Sequence, residues 1–447
     1  MLVLFHSQKN ACLVLTREGA NCRLPGLAVK QAVRGANLAR IRTRELSTIL
    51  RKKMKHSIPG LILIVCLSTL LARPTNVPFF AGNGQMFVKV GAMGEVSVWG
   101  HHSSLGPGDG TRATNADSPV RLGVPRALSA AAGNSHVLIL LADGTIIGWG
   151  TNAECEVGNG NPGKPLKRWE RLEEVRKPVP VTGITGVRMI AASDKISGAV
   201  REDGTVWIWG SGNNGLGGNG IMEPQGSTVA CIPVPRKVEG LGQIRSLSLS
   251  QTHAIAVGTD GSVYTWGMNG YGQLGDGTST HRARPARVEG IEDALDAFAG
   301  GTMSAVVLKD GSVLTFGINS NGQLGDPLTN PSDDSKRYKR KPYKVPGVTG
   351  VVAISGGPGH IIAQLKDGRL IGWGEGYHGS LGNGSSDGIF PVPVSPTGLG
   401  PVVAHYKALR TSFAVLADGR VFVWGPLRMN TGAGVLAGSA TPVAFRP

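Results

Sequence analysis

Cysteine, catalytic signatures and long apolar runs are what this chain of 447 residues has little of. Of five cysteines, Cys12, Cys22 and Cys66 lie in the first 72 residues, so only Cys155 and Cys231 remain beyond them. There is no Walker loop, no Cys-x-x-Cys, no His-Glu-x-x-His and no Gly-x-Ser-x-Gly, so no assembled catalytic set is present. The one concentrated apolar run, Leu61 to Leu71, is shorter than the about 20 residues that a membrane-spanning helix needs. Two dinucleotide-like patterns, Gly210-Ser-Gly212-Asn-Asn-Gly215 and Gly374-Glu-Gly376-Tyr-His-Gly379, follow strands but open no helix, which removes the physical basis for nucleotide binding there. No cofactor and no metal are expected, and the chain reads as a non-enzyme. The enzymatic alternative is a hydrolase assembled from scattered loop residues.

What the chain has in abundance is glycine, 67 residues, and repetition. Seven short strands end in an aromatic-glycine pair, at Trp99, Trp149, Trp209, Trp266, Phe316, Trp373 and Trp424. Successive aromatics are 50, 60, 57, 50, 57 and 51 residues apart, the mark of a repeat architecture. Six residues before each aromatic stands a turn, Asp-Gly at Asp143, Asp203, Asp260, Asp310, Asp367 and Asp418, and Met93-Gly94 in the first copy. Asp-Gly between apolar runs predicts a two-residue type I′ hairpin with φ > 0 at both central positions. A glycine-rich connection follows each aromatic, then a strand with Pro and Val, then a fourth apolar segment that leads through Gly-x-x-His into the next hairpin. Four strands make a sheet too small to bury both its faces, so the repeats must stack on one another. The spacing predicts an all-β chain of repeating four-stranded units, with an open solenoid as the alternative to a closed propeller.

Gly-x-x-His, Asp-Gly-x-Val-x-x-Trp-Gly and Asn-x-x-Gly-Gln-Leu-Gly resemble the repeat of the regulator of chromosome condensation family, over residues 77–447. The resemblance implies a seven-bladed β-propeller of four-stranded blades, and the leader that precedes it makes the chain similar to an exported, bacterial-type member.

Charge is uneven. Residues 1–72 hold 12 Lys and Arg against 2 Asp and Glu, while the rest hold 34 against 28, so the formal +16 belongs mostly to the leader. Residues 1–53 read as a basic leader, either an artefact of start assignment with Met54 as the true start or an organellar presequence. Residues 54–72 read as a signal peptide: Arg51-Lys52-Lys53-Met54-Lys55 precedes the apolar run and Ala72 closes it. The expectation is a periplasmic, cell-surface or secreted protein, with a membrane anchor over 58–72 as the alternative. In an exported chain, Cys155 and Cys231 can form a disulfide or stay two unrelated thiols.

His136, His253 and His360 recur at one repeat position. A metal held at the axis would need neighbouring blades, and these come from alternate copies, so a structural role is expected. Two charged insertions are candidate partner surfaces: Lys167, Arg168 and Trp169 in one, and Lys336, Arg337, Tyr338, Lys339, Arg340 and Lys341 in the other. Basic and aromatic residues on projecting loops suit an acidic partner, with nucleic acid the less favoured reading.

The family's founding members are nucleotide exchange factors for a small GTPase, and the resemblance implies acidic residues in the Gly-x-x-His loops of exchange-active members. Here those positions are Asn134, Asp194, Gln251, Gly301 and Pro358, of which only Asp194 is acidic. The expected function is a monomeric, non-enzymatic scaffold, secreted or envelope-exposed, that recognises a protein or polymer through propeller loops. The alternatives are guanine nucleotide exchange and inhibition of a secreted enzyme.

Overall fold

The computed structural model describes residues 77–447, apart from 83–85, 102–105, 112–114, 162–173, 223–230, 328–336, 431–434 and 446–447, together with the backbone of four strands between residues 2 and 29. The chain divides into two units, 1–73 and 74–447. In the first, strands Leu2–His6, Ala11–Thr16, Gly19–Leu24 and Leu27–Val29 pair antiparallel in chain order, forming a sheet of their own. The expected signal or anchor at 54–72 lies outside the described residues.

The second unit is a seven-bladed β-propeller. Each blade is a four-stranded antiparallel meander in chain order. Blade 2, for instance, runs Ala127–Ala132, His136–Leu141, Ile146–Thr151 and Glu174–Pro180, from the axis outward. The second strand of a blade is covered on both faces by its neighbours, so it reads as continuous apolar sequence: every residue of His136–Leu141, His253–Gly258 and Thr411–Leu416 is buried.

The Asp-Gly turns differ from the expected type. Gly144, Gly204, Gly261, Gly311, Gly368 and Gly419 have φ of 78° to 88°, but the aspartates do not share the positive φ. In blade 2, Leu141 N donates to Thr145 O at 2.9 Å and Gly144 N to Leu141 O at 3.1 Å, which makes a three-residue loop ending in a left-handed glycine. The reason is the aspartate side chain. Asp143 Oδ1 accepts from Thr145 N at 2.9 Å and from Thr145 Oγ1 at 2.6 Å, and the equivalent bonds recur at Asp203, Asp260 and Asp310. Asp is there to close the turn, not to adopt the left-handed region.

Blades are joined through the aromatic of the Trp-Gly pair. In four blades the indole Nε1 donates to a carbonyl in the connecting loop of the preceding blade: Trp209 to Glu156 at 3.0 Å, Trp266 to Leu216 at 3.0 Å, Trp373 to Gln323 at 3.2 Å and Trp424 to Ser380 at 3.2 Å. Each such bond contributes about 1 kcal/mol, and the ring burial more.

The outer strand of every blade carries a proline at the same register: Pro119, Pro178, Pro235, Pro285, Pro342, Pro393 and Pro442. A shift of register accompanies it in each case. Proline donates no N–H and suits only an edge or a bulge, so it also keeps the exposed rim from pairing with another strand.

The ends of the propeller do not share a blade. Blade 7 takes all four strands from Val402–Ala408, Thr411–Leu416, Val421–Asn430 and Val435–Phe445, and blade 1 all four from Phe79–Gly82, Met86–Val90, Val96–His101 and Asn115–Leu122. The ring closes by side-chain packing instead. Phe80 stacks on Phe413 with centroids 4.8 Å apart, and Phe87, Trp99, Val423 and Phe445 complete one buried cluster.

Candidate functional site: the axial mouth

The turns between the first and second strands of successive blades meet at one end of the axis. They enclose a cavity of about 310 Å³ lined by Asn134, Asp194, Gln251, Gly301 and Pro358. These are the five loop positions singled out from the sequence. The space exists because most of the remaining lining is Gly, Ala or Ser, with Leu249, Phe298 and Leu409 as the larger apolar members. Among the described residues Asp194 carries the only formal charge on the wall.

Asp194 is held from two sides. Its Oδ1 accepts from Asn134 Nδ2 at 2.6 Å, and its carbonyl accepts from Asn134 N at 3.0 Å, so the turns of blades 2 and 3 are fastened together. Its φ of 38° puts it in the left-handed region, where Asp is among the few side chains tolerated. The turns of blades 4 and 5 are joined likewise, by Thr252 Oγ1 donating to Gly301 O at 2.6 Å. Asp194 and Gln251 also border a second cleft of about 210 Å³, which includes Glu154 and Lys195, an ion pair.

Beneath this face lie the recurrent histidines. His136 Nε2 is 2.7 Å from Ser197 Oγ in blade 3, and that hydroxyl donates to Glu156 O at 2.8 Å. With its one proton committed, the hydroxyl accepts from His136, which fixes the proton on Nε2. His253, Ser304 and Gln273 O repeat the arrangement at 2.8 and 2.8 Å between blades 4 and 5. Burial pulls the His136 imidazole down to about 4 and His253 to about 3, so both are neutral cross-braces. The sequence contained a signal for this: the blades that carry His are 2, 4 and 6, and Ser197, Ser304 and Ser412 stand at one position in blades 3, 5 and 7. Among the described residues no group of three or more His, Cys, Asp or Glu could hold a metal ion.

Cys155 and Cys231 are disulfide-bonded, with Cα atoms 5.7 Å apart. The bond ties the connecting loop of blade 2 to the start of the outer strand of blade 3. Cys155 stands at a repeat position taken elsewhere by glycine and has φ of 64°. Its neighbour Glu156 replaces the glutamine found at Gln273 and Gln323. All three accept from a backbone N–H two residues back, Glu156 Oε2 at 2.8 Å. Burial pushes the Glu156 carboxyl up to about 7.

The basic insertion is not a projecting loop where it is described. Tyr338–Lys344 is the outer strand of blade 5, paired with Val313–Ile318. Its side chains are engaged as well: Lys339 is ion-paired to the buried Asp326 at 2.9 Å, and Arg340 Nε donates to Ser279 Oγ at 2.9 Å. The Arg337 and Arg340 guanidiniums lie 5.1 and 5.4 Å from the Tyr338 ring. A local alternation of cations and aromatics reads as a loop only when the hydrogen-bonding partner strand is unknown. Lys336, and the other expected patch of Lys167, Arg168 and Trp169, lie outside the described residues.

The repeat register also aligns the outer strands of blades 4 and 5. Arg282 and Lys339 face Gly267 and Gly317, and Ala286 and Tyr343 face Thr265 and Thr315. Arg284 therefore corresponds to Lys341, and Arg287 to Lys344, all four exposed. No other blade has a cation at both positions: blade 2 has Lys177 with Pro180, blade 3 Val234 with Lys237, and blade 6 Val392 with Ser395.

Seven blades, tryptophan-to-loop bonds between them and turns converging on an axial mouth define a repeat propeller of the regulator-of-chromosome-condensation type. The chain belongs to the RCC1-like domain family, whose model matches residues 98–435. It is similar to the ultraviolet-B receptor UVR8 of Arabidopsis thaliana, 30% identical over 334 residues, which span 73% of this chain and 59% of that protein. It is also similar to the secretion-regulating guanine nucleotide exchange factor of Bos taurus, 27% identical over 311 residues, 67% of this chain and 56% of that one. The chain thus spans little more than half the length of these relatives. The crystal structure of human WBSCR16 shares the fold, with a TM-score of 0.67 at 22% identity, covering 79% of this chain and 95% of that one.

Proposed function

We propose that this propeller is a non-enzymatic protein-recognition scaffold and that the axial mouth is its contact face. The observation that carries this reading is the convergence of turns from successive blades on one cavity that is wide because its wall is made mostly of small residues, with Asp194 as its only charge among the described residues. Such a wall offers room and backbone groups to a protruding partner segment, and its carboxylate, Asp194, is already held by Asn134. Filling the mouth tests it. Gln251 is exposed at the rim, so Gln251→Trp blocks entry without disturbing the core. A partner recovered by affinity capture with the native chain is expected to be lost with this variant; a partner retained at full yield removes the mouth from the interface.

We further propose that the protein works outside the cytosol. The Cys155–Cys231 bond supports this, since disulfides persist in oxidising compartments, as does the apolar run after the basic stretch at 51–55. N-terminal sequencing of the mature chain checks it: a start near Arg73 is expected, and a cytosolic chain that keeps residues 1–72 sinks the export reading.

Guanine nucleotide exchange is the second reading, favoured by the activity for which the bovine relative is named and by the carboxylate of Asp194 in the mouth. Release of fluorescent GDP from small GTPases, with Asp194→Asn alongside the native chain, decides between the two.

A further inference from the structure

We propose that the outer strands of blades 4 and 5, Arg282–Arg287 and Tyr338–Lys344, form a docking surface for an extended acidic segment of a partner protein, at a site separate from the mouth. On each strand the first cation is already neutralised: Arg282 pairs with Asp276 at 2.7 Å and Lys339 with Asp326 at 2.9 Å. The last exposed cations lie near the turn aspartates: Lys344 is 3.8 Å from Asp310, and the Asp260 carboxyl, lowered chiefly by its hydrogen bonds from Ser262, is lowered further by the charge of Arg287. Arg284 and Lys341, at equivalent positions on adjacent blades, are exposed and have no carboxylate within ion-pair distance among the described residues. They are fixed on a β scaffold, so little chain entropy opposes their use.

The chemistry of the occupant follows from three features. Pro285 and Pro342 interrupt the edges, so a partner cannot add as another hydrogen-bonded strand and must be read through side chains. The Tyr338 ring already has two guanidiniums within 5.4 Å of its centroid and Tyr271 5.7 Å away, so a stacking base would compete with groups already there. Asp260 and Asp310 border the patch and repel an unbroken row of phosphates, whereas a peptide with spaced carboxylates meets Arg284 and Lys341 and leaves a gap opposite the aspartates.

Fluorescence anisotropy with a labelled peptide of alternating glutamate and glycine tests this on the full chain. The native protein is expected to bind it in a salt-dependent manner, and the double variant Arg284→Glu, Lys341→Glu to bind about tenfold more weakly or worse. The control double variant Arg369→Glu, Arg420→Glu makes the same change in net charge on blades 6 and 7 and is expected to bind normally. Gln251→Trp is also expected to bind normally, which separates this surface from the mouth. The proposal is overturned if the native chain does not bind the peptide, if both charge-reversed variants lose binding equally, or if labelled oligothymidylate binds as tightly with the same sensitivity to Arg284 and Lys341. Thermal melts of each variant establish that it is folded.

Discussion

The imidazole of His136 in blade 2 donates across the blade boundary to the hydroxyl of Ser197 in blade 3, at 2.7 Å. Both are fully buried, so loss of Ser197 leaves the His136 Nε2 proton unsatisfied, whereas Ser197 without His136 keeps its bond to Glu156 O. Ser197→Ala is expected to destabilise the fold by about 1–3 kcal/mol. The double variant His136→Leu, Ser197→Ala should recover much of that loss, because blade 3 itself carries Ile196 at the histidine position. Urea unfolding of the two single variants and the double gives the coupling energy; strict additivity would show that the bond contributes nothing.

Glu156 makes stability depend on pH in an unusual direction. Its carboxyl is raised by burial to about 7 from an ordinary value of 4.5, so the folded state binds the proton more tightly than the unfolded state does. Its favourable contribution is complete below about 4.5 and is lost as pH rises through about 7. Glu156→Gln restores the repeat's own residue and keeps the acceptor for Glu154 N. The variant should match the native chain near pH 4.5 and exceed it by about 1–3 kcal/mol near pH 8. Melting curves across this range check the sign.

The histidines act the other way. His136 and His253 are depressed to about 4 and about 3, so the unfolded chain takes up protons first as pH falls below its ordinary value of 6.5. Stability they confer is present above 6.5 and declines progressively down to about 4 and 3. In His136→Leu, Ser197→Ala the acid slope of stability between about pH 6 and 4 should be shallower than in the native chain. An unchanged slope would mean that His136 titrates freely in the folded state.

The disulfide should be measurable as constraint. Labelling of the unreduced protein should find neither Cys155 nor Cys231 reactive, and removing the bond by Cys231→Ser should cost about 2–4 kcal/mol. On that background, Cys155→Gly should be more stable than Cys155→Ala by about 1 kcal/mol, because position 155 has φ of 64°. Equal stability of the two would argue that the backbone relaxes once the bond is gone.

The sequence made the blades legible because their signals are local. A hairpin turn, a Trp-Gly and a fixed spacing each act within a few residues, and together they set the seven sheets. Its errors were of two kinds. The Asp-Gly turn was assigned from dipeptide preference, whereas the acceptor role of Asp143 toward Thr145 decides the actual geometry. The Arg337 to Lys341 segment looked like a free loop because its partner strand, Val313–Ile318, is set by a register that charge does not encode. The five mouth positions were found by repeat alignment, but the tie from Asn134 to Asp194 spans 60 residues and has no local signature. Likewise, the alternation of His and Ser between odd and even blades is present in the sequence and becomes meaningful only once adjacent blades are known to touch.

One feature of the ring governs how it can come apart. Every other blade joins a neighbour that follows it directly in the chain, but Phe80 and Phe413 bring together opposite ends of the propeller. Among the described residues no backbone hydrogen bond crosses that boundary. Six interfaces can therefore form as a growing arc, each at the small entropic cost of folding one more repeat, while the seventh must close the longest loop in the molecule and draws on the buried aromatic cluster around Phe80 and Phe413. The circle is thus expected to close last and open first, at a clasp that includes the stacked rings of Phe80 and Phe413.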